Sequence, residues 1–316
     1  MKTSGSFNYI SEATPSSLYR NGRVLIERDA DGNTRSSQGI DLEARELAVE
    51  DARSGGMSLE INGFEMLAEP APRGVDFLNH QSVLKTCYGH SAELVSNVTG
   101  ARAFAFDHNV RSASGKQQAS RISGGQAVQE PAHLVHGDYT LTSAPERIAQ
   151  LARPPSGNDT LRGHLADGQS LLPRDLAEAS LREGGRFAII NVWRNVDDFP
   201  VTSHPMAFCD SQTVTPEDLV VFEIHYSDRV GENYFSKHTD EHRMYYFPEI
   251  TRDEVILIKQ WDSAGPLARS SGHSADQSTP SAPCTFSFHS AFEDSNQVGE
   301  IRDRWSIEVR CAVLYE

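Results

Sequence analysis

His133-Leu134-Val135-His136-Gly137-Asp138-Tyr139-Thr140-Leu141 is the stretch on which the reading of this chain turns. It has the alternation and the aromatic and β-branched content of a strand. Side chains two apart in a strand project to the same face, so His136 and Asp138 could grip one metal ion together. About one His-x-Asp is expected by chance in a chain this rich in histidine. A second copy does occur, at His238-Thr239-Asp240, inside a polar, charged run that reads as loop or exposed helix. His238 of that copy and His242 lie four apart and are expected on a solvated surface. Context favours the first copy.

At 316 residues the chain can bury a large core, as one elaborated domain or two. Its 38% hydrophobic and 23% charged residues are ordinary for a globular protein. A net charge of −15 argues against nucleic acid or an anionic membrane as the main partner, because phosphate binding calls for a cationic surface. No apolar run reaches the roughly 18–20 residues that span a bilayer, and Met1–Asn8 lacks the apolar core of a secretory signal. Cys87, Cys209, Cys284 and Cys311 are far apart and read as buried thiols in a reducing compartment. A cytoplasmic protein with a small-molecule partner is expected. Oligomeric state is left open, a homodimer being one option.

Along the chain, residues 1–20 are Ser-rich and predict a flexible arm. Residues 21–110 predict an α/β extension packed on the core. Within it, Arg23–Arg28 reads as a strand followed by a turn at Asp29–Asn33, Asp41–Arg53 as a helix, and Met57–Leu67 as a hairpin around Asn62-Gly63. A helix over Asp76–Ser96 and a strand over Ala101–Asp107 follow. Residues 111–127, nearly without apolar content, predict a flexible loop, and residues 128–316 a strand-rich core. There, Ser143 and Glu146 fit a capping box ahead of a helix to Ala152, and a second helix covers Asp175–Glu183. Strands are expected at Arg186–Arg194, Leu219–Tyr226, Met244–Phe247, Glu254–Trp261, Cys284–His289 and Ser306–Tyr315, with loops at 229–243 and 266–283. The fold class is mainly β with helices, a two-sheet jelly roll.

If His136 and Asp138 bind metal, a second His must come from a later strand. Thr285-Phe286-Ser287-Phe288-His289-Ser290-Ala291-Phe292 offers His289 as its one metal-competent side chain. Two histidines and one carboxylate leave coordination positions open, the arrangement of non-haem Fe(II) oxygenases. Further on, Arg304 and Ser306 share a strand face, where a guanidinium fork and a hydroxyl can hold a carboxylate. A dicarboxylate such as 2-oxoglutarate would call for such a pair.

In this order, His136-x-Asp138, His289 and Arg304-x-Ser306 resemble the Fe(II)/2-oxoglutarate-dependent dioxygenases. The surrounding words resemble, more narrowly, the mostly fungal hydroxylase/desaturase group. These words are Phe106–Arg111, Val135–Thr140, Asn191–Arg194, Tyr245–Pro248, Lys259–Ser263, His289–Phe292 and Arg304–Arg310, and the resemblance spans roughly residues 100–316. It implies a double-stranded β-helix (jelly-roll) core carrying Fe(II), with 2-oxoglutarate and O2 as cosubstrates. His136, Asp138 and His289 would be the metal ligands and catalytic centre, and Arg304 with Ser306 the cosubstrate clamp. The chemistry implied is oxidation of an unactivated C–H bond of a natural product or amino acid, by hydroxylation, desaturation or cyclisation. Asn195 departs from the proline usual after Trp193-Arg194 in that group.

Around this centre, Arg194, Lys259 and Arg310 are candidate substrate cations, although Arg194 and Lys259 suit a structural ion pair with Asp210 or Asp262 equally well. Tyr139 and Trp193 are candidate pocket walls. A non-catalytic cupin-like binding jelly roll is the alternative, and it has no need for the Arg304/Ser306 clamp. A zinc hydrolase built on His238 and His242 lacks a His-Glu-x-x-His pattern.

Overall fold

The computed structural model describes residues 2–29, 34–157, 159–226, 229–269, 281–297 and 299–316. In chain order the strands and helices are β1 (Lys2–Ile10), β2 (Leu25–Arg28), β3 (Thr34–Gln38), β4 (Leu42–Asp51), β5 (Phe64–Ala68), α1 (His80–Thr99) and β6 (Arg102–Arg111). Next come α2 (Ala113–Gln117), β7 (His136–Gly137), α3 (Ser143–Leu151), α4 (Arg174–Leu181), β8 (Phe187–Asn195), β9 (Met206–Cys209), β10 (Leu219–His225) and β11 (Val230–Ser236). The chain closes with β12 (Met244–Tyr246), β13 (Glu254–Asp262), β14 (His289–Ala291), β15 (Glu293–Asp294) and β16 (Ser306–Leu314).

Two sheets carry the fold. The larger runs β15-β1-β4-β12-β9-β14-β7-β11-β10-β2-β3, the smaller β5-β13-β8-β16-β6. Inner side chains from both merge into one core, with Phe7 and Tyr9 of β1, Tyr234 of β11, Phe187 and Ile189 of β8, and Trp261 of β13. On the outside of the smaller sheet, α1 lays Val83, Cys87 and Val95 against Ile190, Val192, Ile307 and Val309. Strand β8 is therefore buried on both faces. All four cysteines are buried and free. Among the described residues, no helix is long and apolar enough to cross a membrane.

Several local expectations are corrected. Residues 2–10, read as part of an arm, form a strand because Thr3, Gly5, Phe7 and Tyr9 alternate inward and β4 pairs along all of it. Leu42–Asp51, read as a helix from its Leu, Glu, Ala and Arg, is a strand held between β1 and the parallel β12. Tertiary pairing overrides helix propensity here. Strands from the first 110 residues pair into both sheets, with β5 and β6 at the two edges of the smaller one, so they are not a separate layer on a later core. Asn62-Gly63 is a turn, but β5 pairs with β13 and makes no hairpin.

The 111–127 loop contains α2, whose N-cap Ser112 is gripped by Asp303 and whose Gly115 lies under Trp305. The helix at Ser143 starts without a Ser143/Glu146 box; the backbone N–H of Ser143 donates instead to Thr140 Oγ1 at 3.0 Å. Part of the 229–243 loop is β11, the partner of β10. The His242 side chain is fully buried 3.4 Å from Asp218, not solvated. Most of the turn at Asp29–Asn33 and residues 270–280 of the 266–283 loop lie outside the described residues.

Candidate metal centre and cleft

His136 opens the two-residue strand β7, which gives way to a bend at Asp138, and it sits directly across from His289 of β14. Space is tight at the residue between the motif's two ligands. A Cβ at Gly137 would come within 3.2 Å of the Phe286 ring. His136 Nδ1 donates to Leu134 O at 2.7 Å, which fixes the tautomer and leaves Nε2 free. That Nε2 lies 3.6 Å from Asp138 Oδ1, and the two imidazole rings are 4.5 Å apart. One ligand atom from each of His136, Asp138 and His289 lies within 4.8 Å of the other two. The sequence placed these residues on different segments, and the fold brings them to one point.

The electrostatics suit a cation. Burial, then the mutual repulsion of the pair, lowers His136 to about 4. Burial likewise lowers His289. Both imidazoles are thus neutral and able to donate lone pairs at neutral pH. Burial opposes ionisation of Asp138, but Arg310, His289, His136 and the Asn191 amide outweigh it and hold the carboxyl well below its usual range.

Ser306 opens β16 of the smaller sheet and Arg304 lies two residues before it, 1% and 2% exposed. Arg304 Nη1 donates to His204 O, while its backbone N–H donates to Ser203 Oγ at 3.1 Å. Its Nε and Nη2 are buried without a partner, and so is Ser306 Oγ. An unsatisfied buried guanidinium is costly, and burial followed by the nearby Arg111 lowers its pKa to about 9. Two unspent guanidinium donors and a free hydroxyl, two residues apart along the chain, fit a carboxylate ligand. Trp193 lies 5.6 Å beneath this guanidinium, with its own indole N–H buried and unpaired.

The remaining expected residues divide. Arg310 and Tyr139, together with Asp138, line a cleft of about 420 Å³ whose rim includes Gln126, Gln129, Arg147 and Asn233. Arg194 does not join them. It faces the α1 side beside Cys87 and donates to Glu69 O at 2.5 Å. Alternation along β8 explains this, because Asn191, two steps from Trp193, is on the metal side and Arg194 is not. Lys259 is fully buried in an ion pair with Asp262 at 3.2 Å and Glu60 at 3.3 Å, which leaves it no role as a substrate cation.

Residues not singled out from the sequence complete the site. Asn191 Nδ2 donates to Asp138 Oδ2 at 3.1 Å. Gln260 Oε1 accepts from the Asp138 N–H at 3.2 Å, and a register shift between Lys259 and Trp261 accompanies it. Arg111 of β6 stands opposite Ser306, and Glu308 lies beside Arg310. The available signal was a lone polar residue in an otherwise apolar strand, as in Ala188-Ile189-Ile190-Asn191-Val192-Trp193. A buried polar group needs partners, so it marks a site.

Comparison with known proteins agrees with this geometry. The family model described as "Oxidoreductase/YMDC permease-like domain" matches residues 7–167 and 160–314. An uncharacterized protein in the dcmA 3' region of Methylophilus leisingeri is 39% identical over 192 residues, 60% of this chain and 89% of that protein. The hydroxylase/desaturase efuI of Hormonema carpetanum is 26% identical over 98% of this chain and 94% of its own length. In fold, the chain matches the iron and alpha-ketoglutarate-dependent endoperoxidase NvfI with a TM-score of 0.69 at 19% identity, covering 99% of this chain and 98% of that one. The chain belongs to the Oxidoreductase/YMDC permease-like domain family and is a distant member of the non-haem Fe(II)/2-oxoglutarate dioxygenase group that holds the fungal hydroxylase/desaturases.

Proposed function

We propose that this enzyme oxidises an unactivated C–H bond of a small polar natural product or amino acid, on a double-stranded β-helix core. The observation that carries the reading is the buried His136–Asp138–His289 cluster beside a strand face where Arg304 Nε, Arg304 Nη2 and Ser306 Oγ lack partners. His136, Asp138 and His289 would hold Fe(II), and Arg304 with Ser306 would take the far carboxylate of 2-oxoglutarate. When bound, the iron supplies the oxidising chemistry by coupling O2 reduction to decarboxylation of 2-oxoglutarate.

The chain's own residues do the rest. Leu134 O holds His136 Nδ1–H, so that Nε2 stays available for coordination. Trp193 walls the cosubstrate side under Arg304. Tyr139 and the cleft of about 420 Å³ receive the substrate next to Asp138. Ligand pockets are usually lined mainly by apolar groups, whereas Gln126, Gln129, Asn233 and Arg147 border this one. That lining supports a substrate with several hydrogen-bonding groups.

The test is an anaerobic titration with Fe(II) and then 2-oxoglutarate, followed by visible absorbance. A weak charge-transfer band is expected for the wild type and none for His136→Ala. A folded, iron-loaded protein without the band would reject the 2-oxoglutarate reading.

A further inference from the structure

Asp138 has two carboxylate oxygens, and only one faces the histidines. Oδ1 lies 3.6 Å from His136 Nε2. Oδ2 accepts from Asn191 Nδ2 at 3.1 Å and lies 3.5 Å from Arg310 Nε. The Arg310 guanidinium is occupied on its other edges as well. Nη1 donates to Asp107 Oδ2 at 3.0 Å, and Nη2 lies 3.2 Å from Glu308 Oε1. The Asn109 amide, oriented so that its nitrogen donates to His108 O, offers its oxygen to Nη2 at 2.9 Å and Nη1 at 3.0 Å. Asp107 is itself anchored, accepting from the Thr160 hydroxyl through its other oxygen.

We propose that Arg310 is a positioning residue for the metal ligand and not a clamp for the substrate. It engages Oδ2 of Asp138, so that the carboxylate presents Oδ1 alone to the metal. A carboxylate binding through both oxygens would consume one more coordination position, and the reaction needs the open ones. Arginine suits the task because its planar fork reaches Asp138, Asp107 and Glu308 at once, which a lysine ammonium on a flexible stem cannot reproduce. Partners of this kind orient ligands and set metal affinity. The commitment of all three nitrogens also removes Arg310 as an anion receptor on the cleft floor, although it lines the cleft. This inference rests on the reading of His136, Asp138 and His289 as the metal site.

Cobalt(II) binding, followed by its visible ligand-field absorption, tests it without turnover, alongside thermal unfolding of the metal-free protein. Arg310→Gln is expected to weaken Co(II) binding by roughly 10–100-fold and to alter the absorption envelope. Arg310→Lys should recover part of the affinity. Asp107→Asn, which loosens Arg310 without touching Asp138, should weaken binding less and in the same direction, and it keeps the test open if Arg310→Gln does not fold. Unchanged Co(II) affinity and spectrum in a folded Arg310→Gln or Asp107→Asn protein would overturn the proposal. So would losses that only follow the melting temperature and are not recovered by lysine. A wild-type protein that takes up no Co(II) would overturn the metal site itself and this inference with it.

Discussion

The two faces of the five-stranded sheet are made by the same strands and serve opposite ends. Its outer face presents Ala188, Ile190 and Val192 of β8 with Ile307, Val309, Cys311 and Val313 of β16, all packed under α1. Its inner face is apolar at Phe187, Ile189, Ala312 and Leu314 but towards the site presents Asn191, Trp193 and Asn195 of β8 with Ser306, Glu308 and Arg310 of β16, all but Trp193 polar. Every residue of both strands is at least partly withdrawn from water. The outer face gains stability from apolar burial, roughly 25 cal/mol per Å². The inner face gives up more of it, because it leaves Arg304, Ser306 and Asn191 with unsatisfied atoms where the outer face of the same strands has Arg194. A protein does not bury polar groups in this way for stability. The difference is the one expected if ligands bind against the inner face.

Substitutions on the two faces should therefore separate stability from ligand binding. The largest effect is expected for His289→Ala, which removes one of three metal ligands. Fe(II) or Co(II) affinity and turnover should fall by more than the roughly 10–100-fold typical of changes outside the ligand set, as read by metal titration.

Arg304→Met should weaken 2-oxoglutarate binding by roughly 30-fold or more, since losing one partner of a buried charge pair costs about 2–5 kcal/mol. Its metal-free stability should hold or rise, because an uncompensated buried cation is gone. Calorimetry and denaturant unfolding check both halves, and a large loss of stability would break the contrast.

Ile190→Ala, on the outer face, should do the reverse. A cost of about 2–5 kcal/mol in unfolding free energy is expected with metal and 2-oxoglutarate affinities unchanged.

Acidification acts on both faces at once. His136 inside and His108 outside are each lowered to about 4, burial being the main cause. In the unfolded chain histidine titrates near ~6.5, so the unfolded state takes up protons first. Metal-free stability should then decline as pH falls from about 6.5 towards 4, and denaturant midpoints at pH 7 and pH 5 measure it. His108→Gln should remove only the outer-face share of that slope.

The smallest effect is expected for Arg194→Met. It faces α1, so turnover should change by less than about twofold, within the range of a mutation far from the site. A large rise in substrate KM would place Arg194 in the cleft after all.

Much of this was legible before any coordinates. The apolar runs at Arg186–Arg194, Glu254–Trp261 and Ser306–Tyr315 are strands within a residue or so of their expected ends, as their length and β-branched content required. The helices expected over Asp76–Ser96 and Asp175–Glu183 are also present, as α1 and α4. The readings that failed were those in which local propensity and tertiary pairing disagree. Leu42–Asp51 is built of helix formers, and Lys2–Ile10 is Ser-rich, yet each gives the other a partner over nine residue pairs. No local window contains that fact.

The order His136-x-Asp138, His289, Arg304-x-Ser306 was written in the chain, and so was the period of two that puts each pair on one face. That chemistry is local, because residue type and spacing suffice to state it. The direction of each strand face relative to the metal was not. Arg194 and Arg310 are both arginines of buried strands, and one serves the helix side while the other holds Asp138. A single register shift at Lys259/Trp261 accompanies the turn of Gln260 towards the site, and pairing across strands settles such shifts. Which neighbour a face meets depends on long-range pairing, and that is a property of the folded sheet and not of any one segment.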